Sequence, residues 1–331
     1  MSAELIDVCG IGSALVDILV TTTAEVVVGA GLVKGSMQLM DLAAAARVHA
    51  LVPGGVERSG GSVANTIAGL ASFGARSGFI GRVASDRLGA VFSSDMRALG
   101  VSLGLHEVPS DAGGTGRSLI LVTPDADRTM CTTLGVAAQL GPEDLDLDLI
   151  RRSAVTYLEG YLWDEPHAKD AFRVAIEAAH GAGRRAAMSM SDPFCVDRHR
   201  GEFVELVASD LDVLFGNDHE LCSLMDVDDL AAACRLVRRP GLLVTVTRGP
   251  EGAWAFDGVD GPIVEMPVAG SPVVADTTGA GDLYAAGFLY GLTRGWDLAA
   301  CLRLGNAAAS EVISHVGARP EVELSSLLPE G

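Results

Sequence analysis

Short apolar runs that end in Gly, Asn or Asp alternate along this chain with longer stretches of helical period, the pattern left by repeated βα units. Strands are expected near Asp7–Ile11, Gly78–Ile80, Val155–Leu158, Ala186–Ser189, Val213–Phe215 and Leu243–Thr247, with helices between them. Strands joined through helices run parallel and need cover on both faces. The fold class that follows is α/β: a three-layer α/β/α sandwich with a mainly parallel central sheet, receiving ligands at the carboxyl ends of its strands. A length of 331 residues, 49% hydrophobic but only 5% aromatic, suits one such domain over 1–331, its small side chains packing helices tightly onto the sheet. Two stretches break the rhythm, near 17–40 and near 110–135. Within the second, LILVTPDADRTMCTT reads as strand, Asp-rich turn, strand. Together these insertions are expected to build a small β lid over a cleft.

Charge narrows the partners. A formal net charge of −19 repels phosphate backbones and anionic lipid heads, which points to small-molecule substrates, no nucleic acid and no membrane. Cysteines 9, 131, 195, 222, 234 and 301 show neither zinc-site nor CxxC spacing and read as buried thiols of a reducing compartment. The start MSAELIDVCGIG lacks the basic end and apolar run of a signal peptide, and no segment reaches the roughly 18 apolar residues of a membrane span. A cytoplasmic monomer or homodimer is the expectation.

Chemistry gathers at DTTGAGD, Asp276 to Asp282, which precedes a stripe of Leu283, Ala286, Gly287 and Tyr290 and therefore opens a helix over Gly281–Leu292. Small residues at Gly279, Ala280 and Gly281 let backbone N–H groups approach a ligand, and the helix N-terminus favours negative charge. Such a turn can serve as an anion hole for a moving phosphoryl group, with Asp282 placed to take a proton from a hydroxyl. Taken alone, GAGD is as often a plain Gly-rich loop with a capping Asp. A second element, Gly60-Gly61-Ser62-Val63-Ala64-Asn65, opens a helix whose Val63, Ile67 and Leu70 face the sheet and leave Asn65 to point at a ligand. A third, Asn217-Asp218-His219-Glu220, has the spacing of a capping box. Asp17, just past the first strand, suits a vicinal diol, although an isolated Asp there is more often a solvated strand end. Arg128 reads as a solvated residue of the hairpin turn, within reach of a phosphate on closure. Gly10-Ile-Gly12 hints at dinucleotide binding, but Leu15 stands where the third Gly belongs. A sensor without turnover is a further alternative, against which a poised base at Asp282 argues.

The segments GGSVANTIAGLASFGARSGFIGRVASDRLG and DTTGAGDLYAAGF resemble the N-terminal and C-terminal signatures of the ribokinase-like, or PfkB, carbohydrate kinases, which include adenosine kinases. The resemblance covers nearly the whole chain and implies ATP as phosphate donor with Mg2+. It implies that Asp282 is the base and Gly279, Ala280 and Gly281 the anion hole, and that Asp17, Gly61 and Asn65 bind sugar hydroxyls. Asn217 and Glu220 match the family's NxxE motif, which implies Glu220 near magnesium, through water. Thr247, Gly249 and Gly252 resemble a loop that holds ATP phosphates, and Asn306 a residue near the adenine. The family often binds a monovalent cation such as K+ through carbonyls beside the anion hole, and Asp276, Thr278 and Gly317 occupy positions for it. GIGSALVDI, YLEGYLWD and SDPFCVDRHR look most like the bacterial adenosine kinase-like branch. By that likeness Tyr161, Leu162 and Trp163 line the purine, with Leu162 in place of one aromatic, and the reaction is adenosine to AMP at the 5′-hydroxyl. A kinase of ribose, fructose or a related free sugar is the alternative.

Overall fold

The structure, a computed structural model, describes residues 4–125 and 127–329. Fourteen strands form two sheets among the described residues. They are β1 (Ile6–Ile11), β2 (Leu15–Thr21), β3 (Met37–Leu39), β4 (Val56–Gly60), β5 (Ser77–Ala84), β6 (Ser102–Val108) and β7 (Gly116–Val122). There follow β8 (Arg128–Thr133), β9 (Ser153–Glu159), β10 (Arg185–Ser189), β11 (Val213–Asn217), β12 (Leu243–Thr247), β13 (Ala253–Asp257) and β14 (Val264–Met266). All six expected strands lie within the larger sheet, ordered β14-β13-β12-β11-β10-β9-β1-β5-β6. It is parallel from β12 through β6 and turns antiparallel only at β13 and β14.

Successive residues of a strand point to opposite faces, and the core divides accordingly. Val8 packs with Val63, Ile67, Leu283 and Phe288 in one cluster, while its neighbour Cys9 packs with Phe172 and Phe203 in the other. The helix Ser62–Ser72 is not the half-solvated element its apolar stripe suggests: every residue from Val63 to Leu70 is buried. Helix Ala280–Thr293 packs against it, and a Cβ on Gly69 would meet Leu283 at 2.7 Å and Ala286 at 2.8 Å. Gly10 and Gly12 serve this packing, since side chains there would collide with Val63 and Ile67 or with Glu159. That is a structural reason for Gly-x-Gly with no dinucleotide in it.

The smaller sheet, ordered β3-β8-β7-β2-β4, draws on both insertions and on a strand the sequence pattern does not announce. β4 joins by pairing antiparallel with β2, Arg58 standing opposite Asp17. The Asp-rich turn before β8 is held by Lys34, whose ammonium pairs with Asp125 at 2.5 Å and Asp127 at 3.0 Å. Of the six cysteines, all are free and only Cys222 is not buried. No helix among the described residues is long and apolar enough to cross a membrane.

Candidate active site

A cavity of about 710 Å3 opens at the carboxyl ends of the parallel strands, between the larger sheet and the smaller one. Asp17, Gly61, Asn65, Glu220, Thr247, Thr278, Gly279, Ala280, Gly281 and Asp282 all border it. Residues from opposite ends of the sequence meet here because an early helix, Ser62–Ser72, and a late one, Ala280–Thr293, pack against each other on one face of the sheet.

Gly279 begins the later helix in the left-handed region, φ +79°, with no side chain capping it. A Cβ there would lie 2.7 Å from the Cβ of Ala318, so a larger residue would displace the turn. The Ala280 N–H bonds the Thr277 carbonyl. The remaining amides of the first turn lack intrahelical acceptors by helix geometry, and Gly281 faces open space. Asp282 follows on the first turn. Its Oδ1 accepts from the Ser62 hydroxyl at 2.6 Å and its Oδ2 from the Asn65 amide at 2.9 Å. Burial pushes the Asp282 carboxyl up to about 6, against the pull of these two hydrogen bonds and the Arg319 charge. Such a group is ionised at neutral pH yet basic enough to accept a proton.

Asn65 itself is buried; one side of its amide serves Asp282 while Oδ1 has no partner among the described residues. That leaves an acceptor for a hydroxyl beside the Asp282 carboxylate. Gly61 sits at φ +103°, and a Cβ there would strike the Ser13 carbonyl. Asp17 is likewise raised to about 6, chiefly by burial, with Arg319 opposing and Asp282 adding to the rise.

Asn217 and Glu220 do form the capping box. The Asn217 side chain accepts from the Glu220 N–H at 2.8 Å, and Glu220 accepts from the Asn217 N–H at 2.9 Å and its amide at 2.7 Å. Glu220 nevertheless lines the cavity, and burial raises its carboxyl to about 7. A buried carboxylate with no cationic side chain paired to it among the described residues fits a hydrated divalent ion. No cluster of three or more His, Cys, Asp or Glu ligands exists among the described residues, so such an ion must draw most of its oxygens from phosphates and water.

Other expected positions fall elsewhere. Gly249, Gly252, Asn306, Asp276 and Gly317 do not line this cavity. The Asn306 amide donates instead to the carbonyls of Met266 and Pro267. Of the aromatic wall, Tyr161 and Leu162 border the cavity, but Trp163 is buried in the core against Phe172 and Phe203, its indole donating to Glu202 at 2.7 Å. A second exposed aromatic at the rim, besides Tyr161, is Phe194, which lies within SDPFCVDRHR but to which the sequence assigns no role. Arg128 is not a solvated turn residue: it is the first residue of β8, only 8% exposed, and pairs with Asp276.

Four groups that sequence reasoning passed over complete the site: Ser13, Ser62, Glu159 and Arg319. Glu159 ends β9 and is 2% exposed, with Oε2 accepting the Val63 N–H at 3.1 Å. Burial raises its carboxyl to about 7, with hydrogen bonds from Val63 and Ser13 resisting and Asp282 contributing. A carboxyl whose pKa rises on folding favours the folded state when protonated; the ionised form lowers stability above pH 7 and the penalty fades as pH falls through the folded pKa. Glu159→Gln is therefore expected to raise the melting midpoint near about pH 8 by the equivalent of a few kcal/mol at most, and to gain little near about pH 5. An equal shift at both pH values would show that Glu159 is not held ionised at such a disadvantage.

The pfkB family carbohydrate kinase model matches residues 30–324. The crystal structure of the adenosine kinase from Sinorhizobium meliloti has a TM-score of 0.89 at 43% identity, covering 98% of each chain. A probable sugar kinase from Rhizobium etli CFN 42 has a TM-score of 0.89 at 40% identity, covering 97% of each. In sequence, a 5-dehydro-2-deoxygluconokinase of Shouchella clausii is 28% identical over 266 residues, 77% of this chain and 80% of its own.

Proposed function

The chain belongs to the pfkB family of carbohydrate kinases, phosphotransferases that act on hydroxyl groups, and on that premise we propose that it converts adenosine to AMP by phosphorylating the 5′-hydroxyl. The observation that carries this reading is the two-sided character of the cavity. Asp17, Asn65 and Asp282 offer carboxylates and an amide at one end, as a ribose needs. Beside them stands an apolar wall that includes Leu15, Met37, Leu39, Ile120, Leu162 and Phe194. A free sugar has no flat apolar surface to set against such a wall, whereas a purine does; stacking of a base on an aromatic ring is worth about 1–3 kcal/mol.

Charge argues for a neutral acceptor. Among the described residues lining the cavity are six carboxylates, Asp17, Glu159, Asp164, Asp192, Glu220 and Asp282, and one guanidinium, Arg198. Arg198 is spent on a two-pronged pair with Asp164, at 3.0 and 2.6 Å. A gluconate derivative, which the Shouchella clausii relative is named for, carries a carboxylate that would find no unpaired cation there.

In the proposed reaction Asp17 orients the ribose diol and Asn65 Oδ1 accepts from a hydroxyl beside the base. Asp282 takes the 5′-hydroxyl proton as the oxygen attacks phosphorus. The first-turn amides of helix Ala280–Thr293 stabilise charge on the phosphoryl oxygens. ATP, the donor its family implies, supplies the phosphoryl group, and Mg2+ held near Glu220 would offset phosphate charge. The smaller sheet keeps water from competing with the acceptor.

Purified protein offered ATP with adenosine, other nucleosides, ribose, fructose and 5-dehydro-2-deoxygluconate is expected to turn over adenosine with the highest kcat/KM. The free-sugar reading, favoured by the Rhizobium etli likeness, wins if ribose or fructose is phosphorylated and nucleosides are not. Preference for the sugar acid would overturn the charge argument.

A further inference from the structure

The Asp276 carboxylate, at the start of the anion-hole loop, is engaged on every side. Oδ1 accepts from the Thr278 N–H at 3.0 Å and the Thr278 hydroxyl at 2.8 Å. Oδ2 accepts from the Gly317 N–H at 2.9 Å and pairs with the Arg128 guanidinium. The two side chains of that pair are 7% and 6% exposed. Arg128 also donates to the Thr278 hydroxyl oxygen at 3.3 Å, while its Nε and Nη2 are buried without a partner among the described residues.

These are the positions at which the family likeness implied a monovalent cation, and their surroundings do not fit one. A fixed unit positive charge already touches the Asp276 carboxylate. A second cation at contact distance, where water is scarce, would be strongly repelled. The small cavity beside the loop, about 30 Å3 and large enough for one water, is lined by three guanidiniums, Arg58, Arg128 and Arg319, against the single carboxylate of Asp17. That lining repels a metal cation.

We propose that Arg128 is the built-in cation of the anion-hole loop, and that this protein works without a monovalent metal ion. The guanidinium neutralises Asp276 and ties it to Thr278, which holds the turn at Gly279 and so aims the first-turn amides at the cavity. Arg128 is a positioning residue acting through Asp276, since it does not line the main cavity. It is carried by β8 of the smaller sheet, whose residues Met130 and Thr132 border the acceptor space. The charge that orders the loop therefore arrives from the sheet that covers the acceptor, so displacing that sheet would loosen the anion hole as well.

The test compares KCl with tetramethylammonium chloride, whose cation is too bulky to enter, both at about 0.1 M to equalise screening. The native protein is expected to show the same melting midpoint and the same turnover in both salts. Arg128→Met is expected to lose turnover on the order of tenfold or more in tetramethylammonium. KCl should restore part of it and raise that variant's midpoint. Arg128→Lys, which keeps a cation in place, should stay indifferent to K+. Strong K+ activation or K+-specific stabilisation of the native protein would overturn the proposal, and so would an Arg128→Met variant equally impaired in both salts. The turnover arm rests on the kinase reading. The midpoints need no substrate, so failure to phosphorylate any acceptor would sink that reading and leave the cation test standing.

Discussion

Asp282→Ala is expected to reduce kcat by about 10²–10⁴-fold, the usual contribution of a positioned general base, while leaving the melting midpoint at or above that of the native protein. The second half of the expectation comes from electrostatics. Burial lifts the Asp282 carboxyl to about 6, so at neutral pH the folded chain holds an ionised group in a place that disfavours it, and removing the charge relieves that penalty. Asp282→Asn separates the roles further. It keeps the shape and an acceptor for the Ser62 hydroxyl, so nucleoside binding measured by calorimetry should survive the loss of turnover. The native kcat/KM should fall on the acid side with an inflection near 6, as the base becomes protonated, and because Asp17 titrates in the same range and feels the Asp282 charge, that inflection belongs to the pair. Residual activity of the variant should lack the Asp282 part of this limb. Near-normal turnover in either variant would remove Asp282 from the chemistry.

Much of this arrangement is legible before any coordinates, and the part that is not has a common cause. The strands β1, β5 and β9 to β12 announce themselves through local apolar runs, and DTTGAGD announces the helix start through local backbone chemistry. By contrast β4, VERSG, has one aliphatic residue and becomes a strand because β2 pairs with it. Tyr161, Leu162 and Trp163 are adjacent in sequence, but the chain turns as a short 3-10 segment there, which sends Trp163 into the core while its neighbours face the cavity. Arg128 misreads as solvated because its partner Asp276 is far along the chain. The capping box at Asn217 and Glu220 shows the reverse case: the bland reading and the functional one are compatible, since the same carboxylate that caps the helix also borders the cavity.

Arg319 is the extreme instance, and its removal is expected to be the most damaging change outside the chemistry. It lies in the loop after the last long helix and has no motif around it. Its guanidinium donates to the Ser59 carbonyl at 3.1 and 2.7 Å, to the Ser59 hydroxyl at 2.8 Å and to the Ala64 carbonyl at 3.1 Å, across 260 and 255 residues of sequence. Ser59 is held in turn by Asp95, which accepts its N–H at 2.8 Å. The fork thus fastens the Gly60-Gly61 loop to the segment whose Ala318 packs under Gly279, joining both glycine turns of the site. Its charge also lowers the carboxyls of Asp17 and Asp282, although burial draws Arg319 itself down to about 10. Arg319→Met removes the donors and the charge together. A loss of about 3–5 kcal/mol in urea denaturation is expected, the range for breaking a buried charged network from one side. Without the cation both carboxyls rise further, so the acid limb of kcat/KM should move to higher pH by on the order of one unit. Arg319→Lys keeps the charge but not the fork, and should lose stability while leaving the limb in place, which keeps the experiment readable if the methionine variant does not fold. A stable methionine variant with an unmoved limb would mean that Arg319 neither fastens the two loops nor tunes the carboxylates between them.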